Sequence, residues 1–141
     1  MRTPEQVVWD FVQDWLNKAI QDFKTVEYLM KKKWDDYSNC TFHAQQSVEK
    51  YIKAFLVKNQ IEFRKTHDLQ KLIALIEKID AKVASDLKFS EWLTDFAVGF
   101  RYPEEPSVDE ETAKKAMSDM QKVKKIIMNG LNEYLSKGRP E

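Results

Sequence analysis

The stretch SNCTFHAQQSVEKYIKAFLVKNQ, residues 38–60, decides the fold class. Its apolar residues recur every three or four positions, which is the period of an amphipathic α-helix. The pattern predicts a helix from about Ser38 to Lys58 that turns one apolar face to the core. The predicted core positions of this helix are Cys40, Ala44, Val48, Tyr51, Ile52 and Phe55.

The residues before this stretch predict another long helix. Thr3 suits the N-cap, Pro4 suits the first helical position, and Gln6 stands where the partner in a capping box belongs. Apolar residues then recur at helical spacing to about residue 32. These are Val8, Val12, Trp15, Ala19, Phe23, Val26 and Met30.

The second half of the chain predicts three further helices. Thr66 is the expected N-cap of the first, whose core residues are Leu69, Leu72, Ile73 and Ile76. Residues 80–90 are expected to form a short helical turn or a loop, and residues 90–100 a short helix. Ser107 and Glu110 suit a capping box for a last long helix that stops near Gly138.

The composition agrees with a helical protein. The 141 residues include only three glycines and four prolines, and one third of them are charged. Few turn-forming residues disfavour a β fold, while many charged residues suit the outer faces of amphipathic helices. The sequence predicts an all-α bundle of about five helices in one domain, residues 1–141.

The charge and the cysteine content limit the possible surroundings and partners. Lys plus Arg equals Asp plus Glu, so no overall field attracts nucleic acid or an anionic membrane. Cys40 is the sole cysteine, which excludes an intrachain disulfide and suits a reducing cytoplasm. No apolar run approaches the length of a membrane span. We therefore expect a cytoplasmic protein that is not inserted in a membrane.

Known catalytic motifs are missing from the sequence. It contains no HExxH, CxxC, GxSxG or phosphate-cradling glycine loop, and its two histidines are His43 and His67. Metal hydrolase, serine hydrolase and P-loop functions are therefore disfavoured. We predict no metal ion and no cofactor.

One polar face of the predicted second helix is a candidate binding surface. At 100° per residue, His43, Gln46, Lys50 and Lys53 fall on one side. An imidazole and two ammonium groups there could hold a phosphate. The alternative is a solvated helix face with an ion pair between Glu49 and Lys53 at i,i+4.

Asp22 interrupts the apolar stripe of the first helix. A carboxylate at a core position must be paired, because burying it alone is costly. The candidate partners are Lys50, Lys53 and Arg101. Asp22 is either part of a binding site or a strut that fastens the first helix to its neighbours.

Several of these segments resemble one protein family. The run CTFHAQQSVEKYIKAFL, then THDLQKL at 66–72, then FRYP at 100–103, resembles the HEPN domains (higher eukaryotes and prokaryotes nucleotide-binding). Trp15, Ala19 and Asp22 are similar to the first helix of that family. The resemblance spans roughly residues 8–135 and suggests a small stand-alone prokaryotic member.

The resemblance implies a fold, partners and an activity. It implies an up-and-down helical bundle that forms a homodimer and pairs with a minimal nucleotidyltransferase, as in a toxin–antitoxin pair. Many members of the family are metal-independent RNases. Their site pairs an arginine, which stabilises phosphate charge, with a histidine that follows it and moves protons.

This sequence departs from the family pattern at the histidine. Arg101 occupies the arginine position, but Pro106, Ser107 and Val108 stand where histidine should follow. The leading hypothesis is therefore a nucleotide- or RNA-binding protein that uses Arg101, Tyr102 and the polar face of the second helix. The alternatives are an RNase that uses Arg101 with His43 or His67, and a purely structural dimeric interaction module.

Overall fold

The computed structural model describes residues 1–32, 36–99 and 102–141. Across these residues the chain is helical, with five α-helices and one 3-10 helix, so the predicted all-α class is confirmed. The α-helices are α1 (Pro4–Lys31), α2 (Tyr37–Lys58), α3 (Leu69–Glu77), α4 (Ala81–Leu87) and α5 (Glu110–Ser136), and the 3-10 helix is Lys88–Phe96.

The predicted start of α1 is confirmed in its details. The backbone N–H of Gln6 donates to Thr3 Oγ1 at 3.1 Å, and the backbone N–H of Thr3 donates to Gln6 Oε1 at 3.0 Å. Pro4 lies at the first helical position, where it has no N–H to leave unpaired. The capping box thus fixes where a helix of 28 residues begins.

Helices α1 and α2 form an antiparallel pair. Three contacts show the register: Asp22 meets His43, the hydroxyl of Ser47 donates to the carbonyl of Ala19 at 2.8 Å, and Lys53 lies over the ring of Trp15. Residue numbers fall along α1 as they rise along α2, so the helices run in opposite directions. The middle of α2 therefore faces the middle of α1, where Asp22 lies.

Helix α2 lies at the centre of the bundle and also packs on α3, α5 and the 3-10 helix. All six core positions predicted for it are buried. Helix α5 approaches it closely at Gly130, where an added Cβ would lie 2.9 Å from the ring of Phe55. The four core residues predicted in the third helix are buried as well: Leu69, Leu72, Ile73 and Ile76.

The predicted N-caps of α3 and α5 are wrong. Asp68 caps α3 by accepting from two backbone N–H groups, while Thr66 accepts from the N–H of Asp68 in the turn before it. Asp109 caps α5 by accepting from the N–H of Thr112 at 2.8 Å, two residues beyond the predicted Ser107. In both cases the N-cap is an aspartate two residues closer to the helix than the predicted Thr66 or Ser107. Asp, Ser and Thr all suit the N-cap, so residue type alone did not distinguish them.

The region between α3 and α5 also differs from the prediction. Residues 81–87 form helix α4, and the chain continues directly into the 3-10 helix, which ends at Phe96 rather than near residue 100. Trp92 and Phe96 pack against the core of their own chain, with ring centroids 5.7 Å apart. Phe100 lies outside the described residues.

None of the helices formed by the described residues is both long enough and apolar enough to cross a membrane.

Candidate functional site

The first polar cluster of the bundle joins α1 to α2 around Asp22. This carboxylate is only 8% exposed. Its Oδ1 lies 2.8 Å from His43 Nδ1, and its Oδ2 accepts a hydrogen bond from the ammonium group of Lys50. We call these three residues the Asp22 cluster. The structure confirms that Asp22 is buried and paired, with Lys50 among the predicted partners.

The electrostatics of the Asp22 cluster keep the carboxylate charged. Burial raises the pKa of Asp22, but the hydrogen bonds and charges of His43 and Lys50 outweigh burial and hold this pKa below its ordinary value of 3.8. A charged carboxylate next to Nδ1 favours the proton on that nitrogen. Nε2 of His43 forms no hydrogen bond with another described residue, and the side chain is 30% exposed.

The second polar cluster lies further along α2 around Glu49. Its Oε2 accepts from the ammonium of Lys53 at 2.9 Å, and its Oε1 lies 2.8 Å from His67 Nδ1. The side-chain amide of Gln45 donates to the same Oε1 at 3.2 Å. We call these four residues the Glu49 cluster. It repeats the pattern of the Asp22 cluster, in which one carboxylate bridges an imidazole and an ammonium group.

Part of the predicted polar face of α2 is therefore buried and not exposed to solvent. The predicted pair between Glu49 and Lys53 is confirmed, but it is buried rather than solvated, with 3% and 5% of the two residues exposed. Lys53 is not the partner of Asp22, since its ammonium lies with Glu49 and above the ring of Trp15. Gln46 lies at the same side and donates to Gln45 Oε1 at 2.6 Å.

The charges of the two clusters cancel. Asp22 offsets Lys50, and Glu49 offsets Lys53, so the four charged groups together carry no net charge. Two lysines that already hold carboxylates attract a phosphate less than free lysines would. The stripe of cations predicted from the sequence does not exist as such, because Glu49 of α2 and Asp22 of α1 supply counter-charges. A helical projection of α2 shows Glu49 but not Asp22.

The segment before α5 lies beside the N-terminal half of α2. An added Cβ at Gly99 would lie 3.3 Å from the ring of Phe42, whose centroid is 5.1 Å from that of His43. Tyr102 lines a cavity of about 240 Å³ together with residues 36–38 and the loop 103–108. Arg101, the arginine predicted for the site, lies outside the described residues.

Sequence reasoning missed Gln45, and it named Glu49 only as the partner of Lys53 and not of His67. Gln45 donates to the carbonyl of His67 at 3.1 Å as well as to Glu49. The spacing of Gln45 and Glu49 at i,i+4 places them together on α2, which is a readable signal. Their contact with His67, on a separate loop, has no such signal because it depends on how that loop folds back.

Among residues 1–32, 36–99 and 102–141, no group of three or more His, Cys, Asp or Glu side chains is placed to hold a metal ion. Both polar clusters instead pair a single carboxylate with nitrogen groups. In each cluster the carboxylate orients one imidazole, and an imidazole can accept, donate or transfer a proton.

Comparison with known proteins places this arrangement in a family. One similar solved structure is the crystal structure of TT1696 from Thermus thermophilus, with a TM-score of 0.71 and 22% sequence identity over 84% of this chain and 96% of that chain. At this identity the similarity shows a common fold. Among curated proteins, no sequence matches the chain. The family model of the HEPN domain matches residues 12–131, which include both polar clusters and nearly all of the helical bundle, so this protein belongs to the HEPN domain family.

Proposed function

We propose that this protein binds the phosphate of a nucleotide or of RNA where the Asp22 cluster meets the segment before α5. The observation that carries the proposal is the His43 imidazole, which Asp22 holds at 2.8 Å on a partly exposed face of α2. A carboxylate partner fixes the orientation of such a ring, so that its other nitrogen can meet a ligand without further loss of freedom.

The proposal gives Arg101 the main contact with the phosphate. A guanidinium offers a planar pair of donors that matches phosphate, and it keeps its charge at any physiological pH. The described residues on either side of Arg101 support this role, since Gly99 lies against Phe42 and Tyr102 lies by residues 36–38. Residues 36–38 form the start of α2, five to seven positions before His43, and Phe42 is the residue next to His43.

A change of salt and a single substitution test the binding proposal. Fluorescence anisotropy with a labelled single-stranded RNA would measure affinity for the wild type and for Arg101→Ala. We expect Arg101→Ala to bind the RNA about tenfold more weakly than the wild type does. The slope of log K against log salt should also be shallower by about one unit in this variant. Arg2→Ala is the matched control, because Arg2 is an exposed arginine that pairs with Asp10 at the other end of α1. Equal binding by Arg101→Ala and wild type would contradict the assignment.

The Asp22 cluster also favours a second candidate function, metal-independent RNA cleavage. An imidazole oriented by a carboxylate can take up and release a proton at Nε2, as a general acid–base requires. His43 would then replace the histidine that the family pattern expects after Arg101. Cleavage of RNA in the presence of a chelator, abolished in His43→Ala and retained in His67→Ala, would establish this function over simple binding.

The proposal includes two kinds of partner. Membership of the HEPN family supports a homodimer and a minimal nucleotidyltransferase, as in a toxin–antitoxin pair. Exposed apolar side chains near the proposed site, Val98 at 67% and Tyr102 at 60%, would suit a protein interface. Light scattering at tens of micromolar tests the dimer, and a monomer there would remove it. Co-purification with a co-expressed minimal nucleotidyltransferase tests the second partner.

A further inference from the structure

A cavity of about 460 Å³ lies between the loop 62–66 and helix α3, and this volume is within the range of small-molecule sites. None of its described lining residues belongs to the Asp22 cluster or to the segment before α5. We infer that this cavity binds a small aromatic carboxylic acid, with the ring in the cavity and the carboxylate at its rim. This ligand class differs from that of the proposed function, and neither site depends on the other.

The rim of this cavity is basic. Arg64, Lys65 and Lys71 line it and are exposed, while Glu62 is the one carboxylate among the described lining residues. Within the described part of the chain, none of the three cations forms an ion pair. The rim therefore keeps an excess of positive charge, which attracts an anion.

The wall of the cavity is apolar. Leu72 is buried, and Phe63 and Leu75 are half-buried where they line the cavity. The ring of Phe63 packs edge-to-face on Trp15, with ring centroids 6.3 Å apart. Because this contact holds Phe63 in place, a planar ring of a ligand can pack on it without first ordering a mobile side chain.

The lining offers few polar partners besides its charged side chains. Thr66 supplies the one hydroxyl among the described lining residues, and its Oγ1 accepts from the backbone N–H of Asp68 at 3.1 Å. That hydrogen bond leaves the O–H of Thr66 to donate to a ligand oxygen. A sugar or a nucleobase would set several polar groups against Phe63 and the two leucines, which offer them no hydrogen bonds. A ligand whose polar atoms are confined to one end avoids this cost.

A carboxylate suits the polar end of such a ligand. Its two oxygens lie in one plane and match the paired N–H donors of the Arg64 guanidinium. A carboxylic acid is ionised at neutral pH, because its ordinary pKa is about 4. Arg64 lies on the loop and Lys71 on α3, so both elements that bound the cavity provide a cation for the carboxylate.

The Glu49 cluster holds the loop that forms this cavity. His67, immediately after the loop, is fixed by Glu49 through its ring and by Gln45 through its carbonyl oxygen. Before the loop, the N–H of Ile61 donates to the carbonyl of Leu56 at 3.0 Å. Both ends of the loop are thus tied to α2, which lowers the entropy cost of ligand binding.

Three other cavities lined by described residues lack this excess of positive charge. One is lined by Asp36 and Glu105 and has no lysine or arginine among its described residues. A second sets Lys58 beside Glu5, and a third sets Lys88 beside two glutamates. Electrostatics therefore favour the cavity between the loop 62–66 and α3 as the site for an organic anion.

Isothermal titration calorimetry with 2-naphthoate tests the inference on the full chain. Acetate lacks the ring and 2-naphthalenemethanol lacks the charge, so each should bind at least about tenfold more weakly than 2-naphthoate. Arg64→Ala and Lys71→Ala should each weaken 2-naphthoate binding by about tenfold. Both side chains are exposed, so neither substitution should disturb folding. Lys78→Ala is the matched control, because Lys78 is an exposed lysine just after α3 that does not line the cavity.

Methyl NMR locates the bound ligand. The methyl signals of Leu72 and Leu75 should shift on addition of 2-naphthoate, and Arg101→Ala should leave its affinity unchanged. Binding that is lost in Arg101→Ala and kept in Lys71→Ala would overturn the location. Absence of binding at millimolar 2-naphthoate, or equal losses in Lys71→Ala and Lys78→Ala, would overturn the inference as a whole. Adenosine monophosphate that binds more tightly than 2-naphthoate, and is lost in Lys71→Ala, would overturn the ligand class.

Discussion

Replacement of Glu49 by alanine should destabilise the protein strongly. The Glu49 carboxylate is 3% exposed and accepts hydrogen bonds from Lys53 at 2.9 Å and from Gln45 at 3.2 Å. Without it, the ammonium group of Lys53 stays buried, with the rings of Trp15 and Phe63 at 5.3 and 5.5 Å from its nitrogen. Aromatic faces attract a cation, but they do not replace a counter-charge.

The expected loss follows from the burial of both partners. Removal of one member of a buried ion pair costs about 3–5 kcal/mol, because an uncompensated charge remains in the interior. Domains are stable by only about 5–15 kcal/mol, so Glu49→Ala would remove a large share of the free energy of unfolding. We expect the melting temperature to fall by about 10 °C or more, measured by circular dichroism together with urea unfolding.

The chain provides a matched control for this measurement. Lys82 and Asp86 form another i,i+4 pair at the same 2.9 Å, but their side chains are 84% and 43% exposed. An exposed helical pair of this kind contributes about 0.3–0.5 kcal/mol, so Asp86→Ala should change the melting temperature very little. The two variants therefore differ mainly in burial.

A double variant separates the cost of a stranded charge from the value of the pair. Glu49→Leu with Lys53→Met removes both charges and keeps apolar volume. The free energy of unfolding of this double variant should therefore be close to that of the wild type and about 3 kcal/mol above that of Glu49→Ala. If Glu49→Ala costs no more than Asp86→Ala, burial does not govern this pair. A double variant as unstable as Glu49→Ala would show that packing, rather than charge, explains the loss.

Three further predictions concern single ionisable groups. Asp22→Asn should be less stable than wild type at neutral pH, and the difference in free energy of unfolding should narrow as pH falls below about 5. The reason is that the lowered pKa of Asp22 stabilises the folded state fully only at pH values above 3.8, and this stabilisation is lost as the pH falls through the pKa of the folded protein. Urea unfolding at several pH values would measure the difference in free energy between the two proteins. A difference that does not change with pH would refute the prediction. Tyr51→Phe should be as stable as wild type or more so, because the Tyr51 hydroxyl is buried without a partner among the described residues and burial raises its pKa to about 12; a thermal unfolding loss above about 1 kcal/mol would contradict this. Hydrogen bonds from Arg139 and Arg2 lower the pKa of Asp10 to about 2, so an NMR titration of Arg139→Ala should find this pKa closer to 3.8, and an unchanged value would exclude Arg139 as the main cause.

Features set by local sequence were predicted well. The capping box at Thr3, the apolar face of α2 and the core residues of α3 all depend on spacing within one helix, which the sequence displays directly. The N-caps of α3 and α5 were misplaced by two residues, because several adjacent residues there can cap a helix and local sequence does not rank them. The 3-10 continuation of α4 was missed, since its short segments carry little periodic signal.

The tertiary structure alone decided how the polar residues of α2 pair with residues outside that helix. A helical projection places Lys50 and Lys53 on one face, but it contains neither Asp22 of α1 nor His67 of the loop before α3. The antiparallel packing of α1 brings Asp22 to His43 and Lys50, and the returning loop brings His67 to Glu49. What the sequence determined is therefore the set of helices and their apolar faces. Whether Lys50 is neutralised and how the two imidazoles are oriented depends on contacts between residues 18 to 28 positions apart, and only the packing of the chain creates those contacts.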